Sequence, residues 1–220
     1  MKPGITILIT DDQPLTRAGL RAVLERAPDM IIIGEARDGD EAQRLVAELR
    51  PDVLLLDLKM PGLFAAKLEK WVRVNYPETA TLVLTAHDRD FYLAEMMAAG
   101  VSGYIDKSER AENLVAAIRR AVSGEFLFTN EQFKRAHHWN ETEGKKWQSL
   151  TEREREISRL LVNGLDDAAL AQTLKITPRT ASYHVTNLLK KLDVSSRQEV
   201  VTWLLKHIPD ITDDLLKVRR

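Results

Sequence analysis

Five short apolar runs alternate with helical-period segments over the first 124 residues, and this alternation restricts the fold more than any other feature of the sequence. It is typical of a parallel sheet with helices on both faces. The third run is apolar at every position, as expected for a central strand buried on both sides. We predict strands at Ile5–Thr10, Met30–Ala36, Val53–Leu56, Thr81–Thr85 and Gly103–Ile105. We predict helices at Pro14–Arg26, Asp38–Leu49, Ala65–Asn75, Arg89–Ala99 and Ala111–Ser123.

The sequence divides into four stretches. Residues 1–124 carry the βα pattern and are predicted to form one α/β domain. Residues 125–148 are polar and show no regular apolar face, which predicts a linker. Residues 149–208 give four helix signals in succession without a strand pattern, so the second domain is predicted to be all-α. Residues 209–220 are expected to form a C-terminal tail.

Composition limits the classes of protein to which the chain can belong. It has 220 residues and no cysteine, and no apolar run approaches the roughly 20 residues that span a bilayer. The amino terminus lacks the pattern of a signal peptide, so a cytoplasmic protein is expected. Residues 1–144 carry 18 Lys and Arg against 23 Asp and Glu, whereas residues 145–220 carry 14 against 10. The basic second half permits nucleic-acid binding, but a solvated basic face explains the same charge.

Polar side chains stand at the ends of four predicted strands. Asp11 and Asp12 follow the first strand, Asp57 follows the third, Thr85 closes the fourth, and Lys107 comes shortly after the fifth. Because the carboxyl ends of parallel strands meet at one edge of a sheet, these side chains are expected to lie together. Neighbouring carboxylates repel one another unless a cation sits among them, and oxygen ligands without His or Cys suit Mg²⁺. The sequence therefore predicts a magnesium site.

This arrangement predicts phosphoryl chemistry at Asp57. A carboxylate beside Mg²⁺ can attack a phosphoryl group and form an acyl phosphate. Lys107 is then expected to add a second positive charge near the phosphate, and the Thr85 hydroxyl to donate a hydrogen bond to it. A single aspartate after a strand is most often a turn or cap residue. Five such residues at successive strand ends favour a functional site.

Each helix of the second domain begins with a side chain that can cap it. These residues are Thr151 and Ser196, each three residues before a glutamate in a capping box, Asp166, and Thr177, which precedes a proline. The third helix, Pro178–Leu192, has an inward stripe of Ala181, Val185, Leu188 and Leu192. Its opposite face carries Arg179, Ser182, Tyr183, Thr186 and Lys190. Such a face suits base edges and phosphates in a major groove, although a merely solvated helix looks similar.

The strand ends carry four motifs: Asp11-Asp12, Leu56-Asp57-Leu58-Lys59-Met60-Pro61-Gly62, Leu84-Thr85-Ala86 and Gly103-Tyr104-Ile105-Asp106-Lys107. Together they resemble the receiver domain of two-component response regulators over about residues 4–124. The resemblance implies a five-stranded, doubly wound, flavodoxin-like sheet and transfer of phosphate to Asp57 from the phosphohistidine of a sensor histidine kinase. It implies that Mg²⁺ is held by Asp12, Asp57 and the backbone carbonyl of Lys59, and by Asp11 through water.

The same resemblance assigns further roles. Thr85 and Tyr104 would form a switch pair, in which phosphate recruits the Thr85 hydroxyl and the Tyr104 ring turns inward. Tyr104 can equally be an ordinary aromatic residue of an edge strand. Lys59 and His87 occupy the positions that set the lifetime of the phosphate in this family.

The second half carries the motifs Leu150-Thr151-Glu152-Arg153-Glu154-Arg155-Glu156-Ile157, Ala171-Gln172-Thr173-Leu174, Thr177-Pro178-Arg179-Thr180-Ala181-Ser182-Tyr183-His184-Val185 and Leu189-Lys190-Lys191-Leu192-Asp193-Val194. They resemble the four-helix DNA-binding module of the LuxR/NarL type. The resemblance implies base contacts from Ser182, Tyr183 and Thr186, and contacts to the DNA backbone from Arg179, Thr180, Asn187 and Lys190. It implies double-stranded promoter DNA with inverted half-sites and a homodimer when phosphorylated, with the last helix commonly mediating dimerisation.

The chain departs from these patterns in three places. After Pro61 it reads Gly62-Leu63-Phe64-Ala65-Ala66, where receivers usually have an acidic residue and a glycine near Phe64 and Ala65, so the loop geometry is expected to differ. Ser182 stands where lysine is more frequent, and Asp166-Asp167 adds acid close to the DNA. We therefore expect weak DNA binding by one chain, strengthened when phosphorylation pairs two.

Several histidine and tryptophan residues of the second half have ordinary structural explanations. His184, at the edge of the inward stripe, is predicted to be a packing residue. His137-His138 is interpreted as solvated linker and not as a metal site. Trp203 and Leu204-Leu205 can be core residues or, in part, a dimer seam, and both readings stay open.

Two other functions stay open. An aspartyl-phosphate phosphohydrolase also uses an Asp nucleophile and Mg²⁺. Such enzymes usually carry the nucleophile on the first strand with a second Asp two residues later, whereas here Asp11 and Asp12 are adjacent, Asp57 ends the third strand and no cap insertion is present. The second alternative is a receiver that no longer takes phosphate and acts as a constitutive DNA-binding or scaffold protein. The five intact strand-end residues argue against it.

Overall fold

The computed structural model of the chain describes residues 4–209 and 211. It forms two compact units that divide between Ala136 and His137. Most of the tail expected at 209–220 lies outside the described residues. Within the part of the chain that the structure describes, no helix has the length and apolar character needed to cross a membrane.

The first unit is an α/β fold with a five-stranded parallel sheet in the order β2-β1-β3-β4-β5. Its strands are β1 (Ile5–Thr10), β2 (Met30–Ala36), β3 (Val53–Leu56), β4 (Ala80–Thr85) and β5 (Gly103–Asp106). Its helices are α1 (Pro14–Leu24), α2 (Gly39–Leu49), α3 (Ala65–Asn75), α4 (Asp90–Ala99) and α5 (Ala111–Val122). The predicted doubly wound fold is confirmed, and every strand agrees with the sequence prediction to within one residue.

The core explains why the apolar runs form these strands. All four residues of β3 are buried, because helices cover the central strand on both faces. One core cluster joins Ile9, Leu55 and Leu82 of the sheet to Leu114 and Ile118 of α5. In the pairing of β1 with β3, Thr10 lies opposite Leu56, so both strands end at the same level. The residues that follow them, Asp11 and Asp57, are therefore brought side by side.

Residues 125–148, for which the sequence predicts a linker without a regular apolar face, are largely helical. They contain α6 (Asn130–Glu141) and α7 (Glu143–Gln148). Helix α6 starts at a capping box, in which Thr129 N–H donates to Gln132 Oε1 (2.9 Å) and Gln132 N–H donates to Thr129 Oγ1 (3.1 Å). Apolar periodicity does not predict these helices, because they have few buried side chains, namely Ala136, Trp139 and Trp147.

The predicted all-α part is confirmed, with α8 (Glu152–Val162), α9 (Asp167–Leu174), α10 (Pro178–Leu192) and α11 (Arg197–His207). Each helix has the predicted cap: Thr151, Asp166, Thr177 and Ser196 all accept a hydrogen bond from the backbone N–H three residues later. The alternatives left open for α11 are partly resolved. Trp203 is buried and its indole N–H donates to Glu143 (2.6 Å), whereas Leu205 is 52% exposed. Trp203 is thus a core residue.

Glu69 of α3 is a fully buried carboxyl group whose ionisation affects the stability of the first unit. Burial raises the pKa of Glu69 to about 7, although Thr81 and Arg73 act in the opposite direction. Arg73 Nε lies 2.9 Å from Glu69 Oε1. Because the folded pKa lies above the ordinary value of 4.5, the folded state binds the proton more tightly. Stability contributed by this proton is present at low pH and lost as pH rises toward 7.

We expect the ionisation of Glu69 to lower the free energy of unfolding by about 2–3 kcal/mol as pH rises from 5 to 8, at about 1.4 kcal/mol per pKa unit. The measurement is the free energy of urea unfolding of wild type and Glu69→Gln at both pH values. The difference between the two proteins should change by that amount, since glutamine does not titrate. Glu78→Gln, at an exposed residue, is the control. Parallel pH curves for wild type and Glu69→Gln contradict the prediction.

Candidate phosphoacceptor site and DNA-binding helix

Three aspartates meet at the carboxyl edge of the sheet. Asp57 N–H donates to the carbonyl of Thr10 (2.9 Å), which fixes the end of β3 against the end of β1. Asp11, Asp12 and Asp57 each offer a carboxylate oxygen, and these oxygens lie within 4.8 Å of one another. Asp11 and Asp57 are buried, and Asp12 is exposed. Among the described residues this is the one group of His, Cys, Asp or Glu that can hold a metal ion.

Lys107 joins two of these carboxylates. Its Nζ lies 2.7 Å from Asp11 Oδ2 and 2.9 Å from Asp57 Oδ1. The backbone holds it there, since Lys107 N–H donates to the carbonyl of Thr85 (2.9 Å). Burial lowers the pKa of Lys107, but the two ion pairs outweigh it and raise the pKa, so the amine is charged. Burial also raises the pKa of Asp57, against the opposing effect of Lys107.

The charges of this pocket favour a further cation. One ammonium group offsets one of the three carboxylates, and two of those carboxylates are buried. The donor set is made of oxygen atoms alone, which suits Mg²⁺ better than zinc. The residues present therefore fit the magnesium ion that the sequence predicted.

The loop after β3 is packed against the start of α2. Lys59 N–H donates to Asp57 Oδ2 (3.2 Å), and Gly39 N–H donates to the carbonyl of Pro61 (2.9 Å). A side chain at Gly39 would collide with the backbone of Leu63. The segment that departs from the family pattern is thus held by backbone contacts with α2, beside the phosphoacceptor candidate.

The predicted switch residues lie next to one another. Thr85 is fully buried, and its hydroxyl accepts a hydrogen bond from His87 N–H (2.9 Å). Tyr104 is only 4% exposed, and its hydroxyl donates to the carbonyl of His87 (3.0 Å). Burial raises the pKa of Tyr104, which keeps the phenol neutral. Tyr104 therefore has its ring inward, beneath the loop that follows β4.

Helix α10 shows the two faces that the sequence predicted. Ala181, Val185, Leu188 and Leu192 are buried. Arg179, Ser182, Tyr183, Thr186 and Lys190 are exposed, and Thr180 and Asn187 are half-buried. Two of the candidate contact hydroxyls already have partners: Thr180 Oγ1 lies 2.8 Å from Thr177 Oγ1, and Thr186 donates to the carbonyl of Ser182 (2.9 Å). Tyr183 is 63% exposed and gives this face an accessible aromatic ring.

The two aspartates at the start of α9 have structural partners. Asp166 accepts from Ala169 N–H (2.8 Å) as the helix cap, and Asp167 is paired with Arg197. The extra acid that the sequence suggested is therefore partly neutralised. His184 is half-buried, with its ring 5.7 Å from that of Tyr183.

Sequence reasoning missed two sets of contacts around these sites. Lys191 of α10 binds Glu154 Oε2 (2.7 Å) and the carbonyl of Ser149 (2.9 Å), which anchors α10 to the start of α8. Arg135 of α6 binds Asp88 and Asp90 beside the switch loop. The capping box at Thr129 was the signal for α6, but nothing in the sequence pattern links residues so far apart.

Two stretches of the chain match known families. Residues 7–119 match the response regulator receiver domain, and residues 148–204 match the bacterial regulatory proteins of the luxR family. Together these matches cover both units.

Relatives are similar along almost the whole chain. Transcriptional regulatory protein LiaR of Bacillus subtilis is 36% identical over 203 residues, covering 90% of this chain and 96% of LiaR. Response regulator protein VraR of Staphylococcus aureus is 30% identical over 203 residues, covering 92% and 97%. The crystal structure of response regulator ChrA from a heme-sensing two-component system has a TM-score of 0.55 and 28% identity, covering 93% and 98%. The chain therefore belongs to the two-component response regulators with a receiver domain and a LuxR-type DNA-binding domain, a family of transcription regulators.

Proposed function

We propose that Asp57 accepts a phosphoryl group from the phosphohistidine of a sensor histidine kinase, and that this phosphorylation pairs two chains on promoter DNA. In this proposal residues 1–124 are the phosphoacceptor domain and residues 149–208 the DNA-binding domain, acting in the cytoplasm. The observation that carries it is the position of Lys107 Nζ, 2.9 Å from Asp57 Oδ1 in a pocket shared with two further aspartates. An ammonium group at that distance can bind a phosphoryl oxygen after transfer.

The chemistry needs few groups. An Asp57 oxygen attacks phosphorus, a P–O bond forms as the P–N bond to the donor breaks, and the imidazole leaves with the electron pair. Lys107 balances charge on the phosphoryl oxygens, and the Thr85 hydroxyl turns from the His87 N–H to donate to one of them. Asp12, Asp57 and the Lys59 carbonyl would hold Mg²⁺, with Asp11 bound through water. The ion supplies charge neutralisation at phosphorus.

The phosphoaspartate would then be lost slowly by hydrolysis. In our proposal the side chains of Lys59 and His87 flank the path of the attacking water and set the lifetime of the phosphate. The protein acts on its own Asp57 in both steps, with phosphorylation by small donors and slow dephosphorylation as its only chemistry.

On DNA, α10 would lie in the major groove. The candidate base contacts are Ser182, Tyr183 and Thr186, and the candidate backbone contacts are Arg179, Thr180, Asn187 and Lys190. The exposed ring of Tyr183 and the cations at the two ends of the exposed face support this orientation.

The test is phosphorylation by acetyl phosphate and Mg²⁺, followed by intact-mass spectrometry. Wild type and Asp29→Asn, whose aspartate pairs with Arg119 outside the pocket, should each gain one phosphoryl group per chain. Asp57→Asn should gain none, because an amide is not a nucleophile of this kind. Removal of Mg²⁺ with a chelator should abolish the gain in wild type. Equal phosphate on wild type and Asp57→Asn, or no phosphate on wild type, contradicts the proposal.

A further inference from the structure

The segment after α5 runs along the edge of the sheet. Leu127 N–H donates to the carbonyl of Ser102 (2.7 Å), and Gln132 Nε2 donates to the carbonyl of Tyr104 (3.0 Å). A Cβ on Gly103 would lie 2.9 Å from Leu127 Cβ, so the close approach requires glycine there. The start of α6 is therefore attached to β5, the strand that carries Tyr104.

Arg135, one turn further along α6, binds the loop between β4 and α4 and the first residue of α4. Its Nε donates to Asp90 Oδ1 (2.7 Å), and its two terminal nitrogens donate to Asp88 Oδ2 (2.7 Å) and Asp88 Oδ1 (3.0 Å). A planar guanidinium bound to two carboxylates in this way fixes orientation as well as distance. The hydrogen bonds to Asp88, followed by those to Asp90, raise the pKa of Arg135, so its charge is permanent.

The same loop is bound by the switch residues. His87 N–H donates to the Thr85 hydroxyl, and the carbonyl of His87 accepts from the hydroxyl of the inward Tyr104. Asp88, the next residue, is held by Arg135. The loop thus contacts the switch pair on one side and α6 on the other. Both sets of contacts hold it in the same conformation.

We propose that Arg135 is a positioning residue of the switch, which holds the 87–90 loop in the conformation that keeps Tyr104 inward. Docking of the first part of α6 and phosphorylation of Asp57 then favour each other. The partner of the loop is a segment of this chain, and the coupling rests on the proposed phosphorylation of Asp57. Because coupling between two binding events is reciprocal, loss of the Arg135 contacts must weaken binding of a phosphoryl analogue at Asp57 by the factor by which that analogue strengthens docking.

The size of the effect follows from the exposure of the ion pairs. Coupling between sites is usually about 5-fold to 150-fold. The side chains of Asp88 and Asp90 are 44% and 43% exposed, and solvent weakens such pairs. We therefore expect a change of about fivefold, at the lower end of that range.

The experiment compares Arg135→Gln with Arg119→Gln in the full chain. Arg119 of α5 makes a similar forked pair, in which two guanidinium nitrogens each donate to a carboxylate oxygen of Asp29 (2.8 Å and 2.8 Å). Both variants therefore lose one forked arginine–aspartate contact. The readouts are the initial rate of phosphorylation by acetyl phosphate with Mg²⁺, and the concentration of beryllofluoride that blocks it by half. Arg135→Gln should need about fivefold more beryllofluoride. It should also be phosphorylated more slowly, because the competent conformation of the loop is less populated. Arg119→Gln should match wild type in both.

Two further readouts separate positioning from a general loss of structure. Asp88→Asn should give a smaller loss of the same kind, because it leaves the contact of Arg135 with Asp90. The double variant Arg135→Gln/Asp88→Asn should lose no more than Arg135→Gln alone, because the Arg135 substitution already removes the shared interaction. Amide exchange at residues 87–90 should be faster in Arg135→Gln, with no change in the β3 amides.

Each outcome has a defined meaning. Wild-type phosphorylation of Arg135→Gln overturns the positioning role but leaves the proposed function standing. Equal slowing in Arg135→Gln and Arg119→Gln also overturns it, since the effect is then general. A wild-type protein that takes no phosphate on Asp57 overturns the proposed function and the coupling with it.

Discussion

Phosphorylation of Asp57 is expected to tighten binding to a DNA fragment with two inverted half-sites by about 100-fold, and to leave the affinity for a single half-site nearly unchanged. The reason is avidity. Once one DNA-binding unit of a dimer is bound, the second binds at a high effective concentration, which commonly adds a factor of about 10²–10⁴ without any new contact. A single unit has no such gain, because its contacts are the same before and after phosphorylation.

A single unit should bind weakly for a reason visible on α10. The exposed face carries the cations Arg179 and Lys190, and Asp193 follows the helix directly. Few phosphate contacts mean a small electrostatic contribution to affinity and a shallow dependence on salt. We therefore expect sequence-specific binding to depend on the pairing of two units.

The measurement uses a fragment selected from a random-sequence library with the beryllofluoride-treated protein, and the same fragment with one half-site scrambled. Fluorescence anisotropy at constant salt gives the affinity of each with and without acetyl phosphate. Asp57→Asn is the control and should bind both fragments like the unphosphorylated wild type. An equal gain on the intact and scrambled fragments contradicts the avidity argument and places the effect inside one DNA-binding unit.

The parts of the fold that the sequence predicted correctly depend on local rules. A strand buried on both faces needs an unbroken apolar run, and Val53–Leu56 has one. A helix start needs a side-chain acceptor for its N–H groups, and Thr177 before Pro178 supplies one. Both rules act within a few residues, so a single sequence contains all the information they require.

The helices between the two domains could not be predicted from apolar periodicity. Over α6 the buried residues are Ala136 and Trp139, and over α7 they are Gly144 and Trp147. Two buried positions per helix do not define a stripe. Thr129 and Gln132 form a capping box that marks a helix start, but without an apolar stripe after it the pattern predicts a linker.

The candidate site likewise has one part that the sequence predicts and one part that it does not. Strand order alone brings Asp11 beside Asp57, so the carboxylate cluster follows from a topological rule. The contacts of Arg135 with Asp88 and Asp90 join residues 47 and 45 positions apart in the chain. No periodicity relates such positions, because the contact exists only after α6 has docked on the sheet edge.

Glu154→Ala is expected to lower the free energy of unfolding of the second unit by about 3 kcal/mol, because the lost carboxylate is buried and has several partners. Glu154 is 3% exposed and accepts from Thr151 N–H (2.7 Å), the Thr151 hydroxyl (2.9 Å) and Lys191 Nζ (2.7 Å). Burial opposes its ionisation, but Lys191 and Thr151 outweigh burial and hold the pKa of Glu154 below its ordinary value. Alanine leaves the Thr151 N–H and one ion-pair donor without their acceptor.

Glu199→Ala provides the matched control, since Glu199 has the same capping-box position on α11 but is exposed. Its loss should be about 1 kcal/mol, the usual effect of removing a helix cap. Urea unfolding followed by tryptophan fluorescence suits the comparison, because three of the four tryptophans, Trp139, Trp147 and Trp203, lie in the second unit. Equal losses in the two variants would show that Glu154 acts as a cap alone. A loss about threefold larger for Glu154→Ala assigns the difference to the buried carboxylate and its pair with Lys191, which ties α10 to α8.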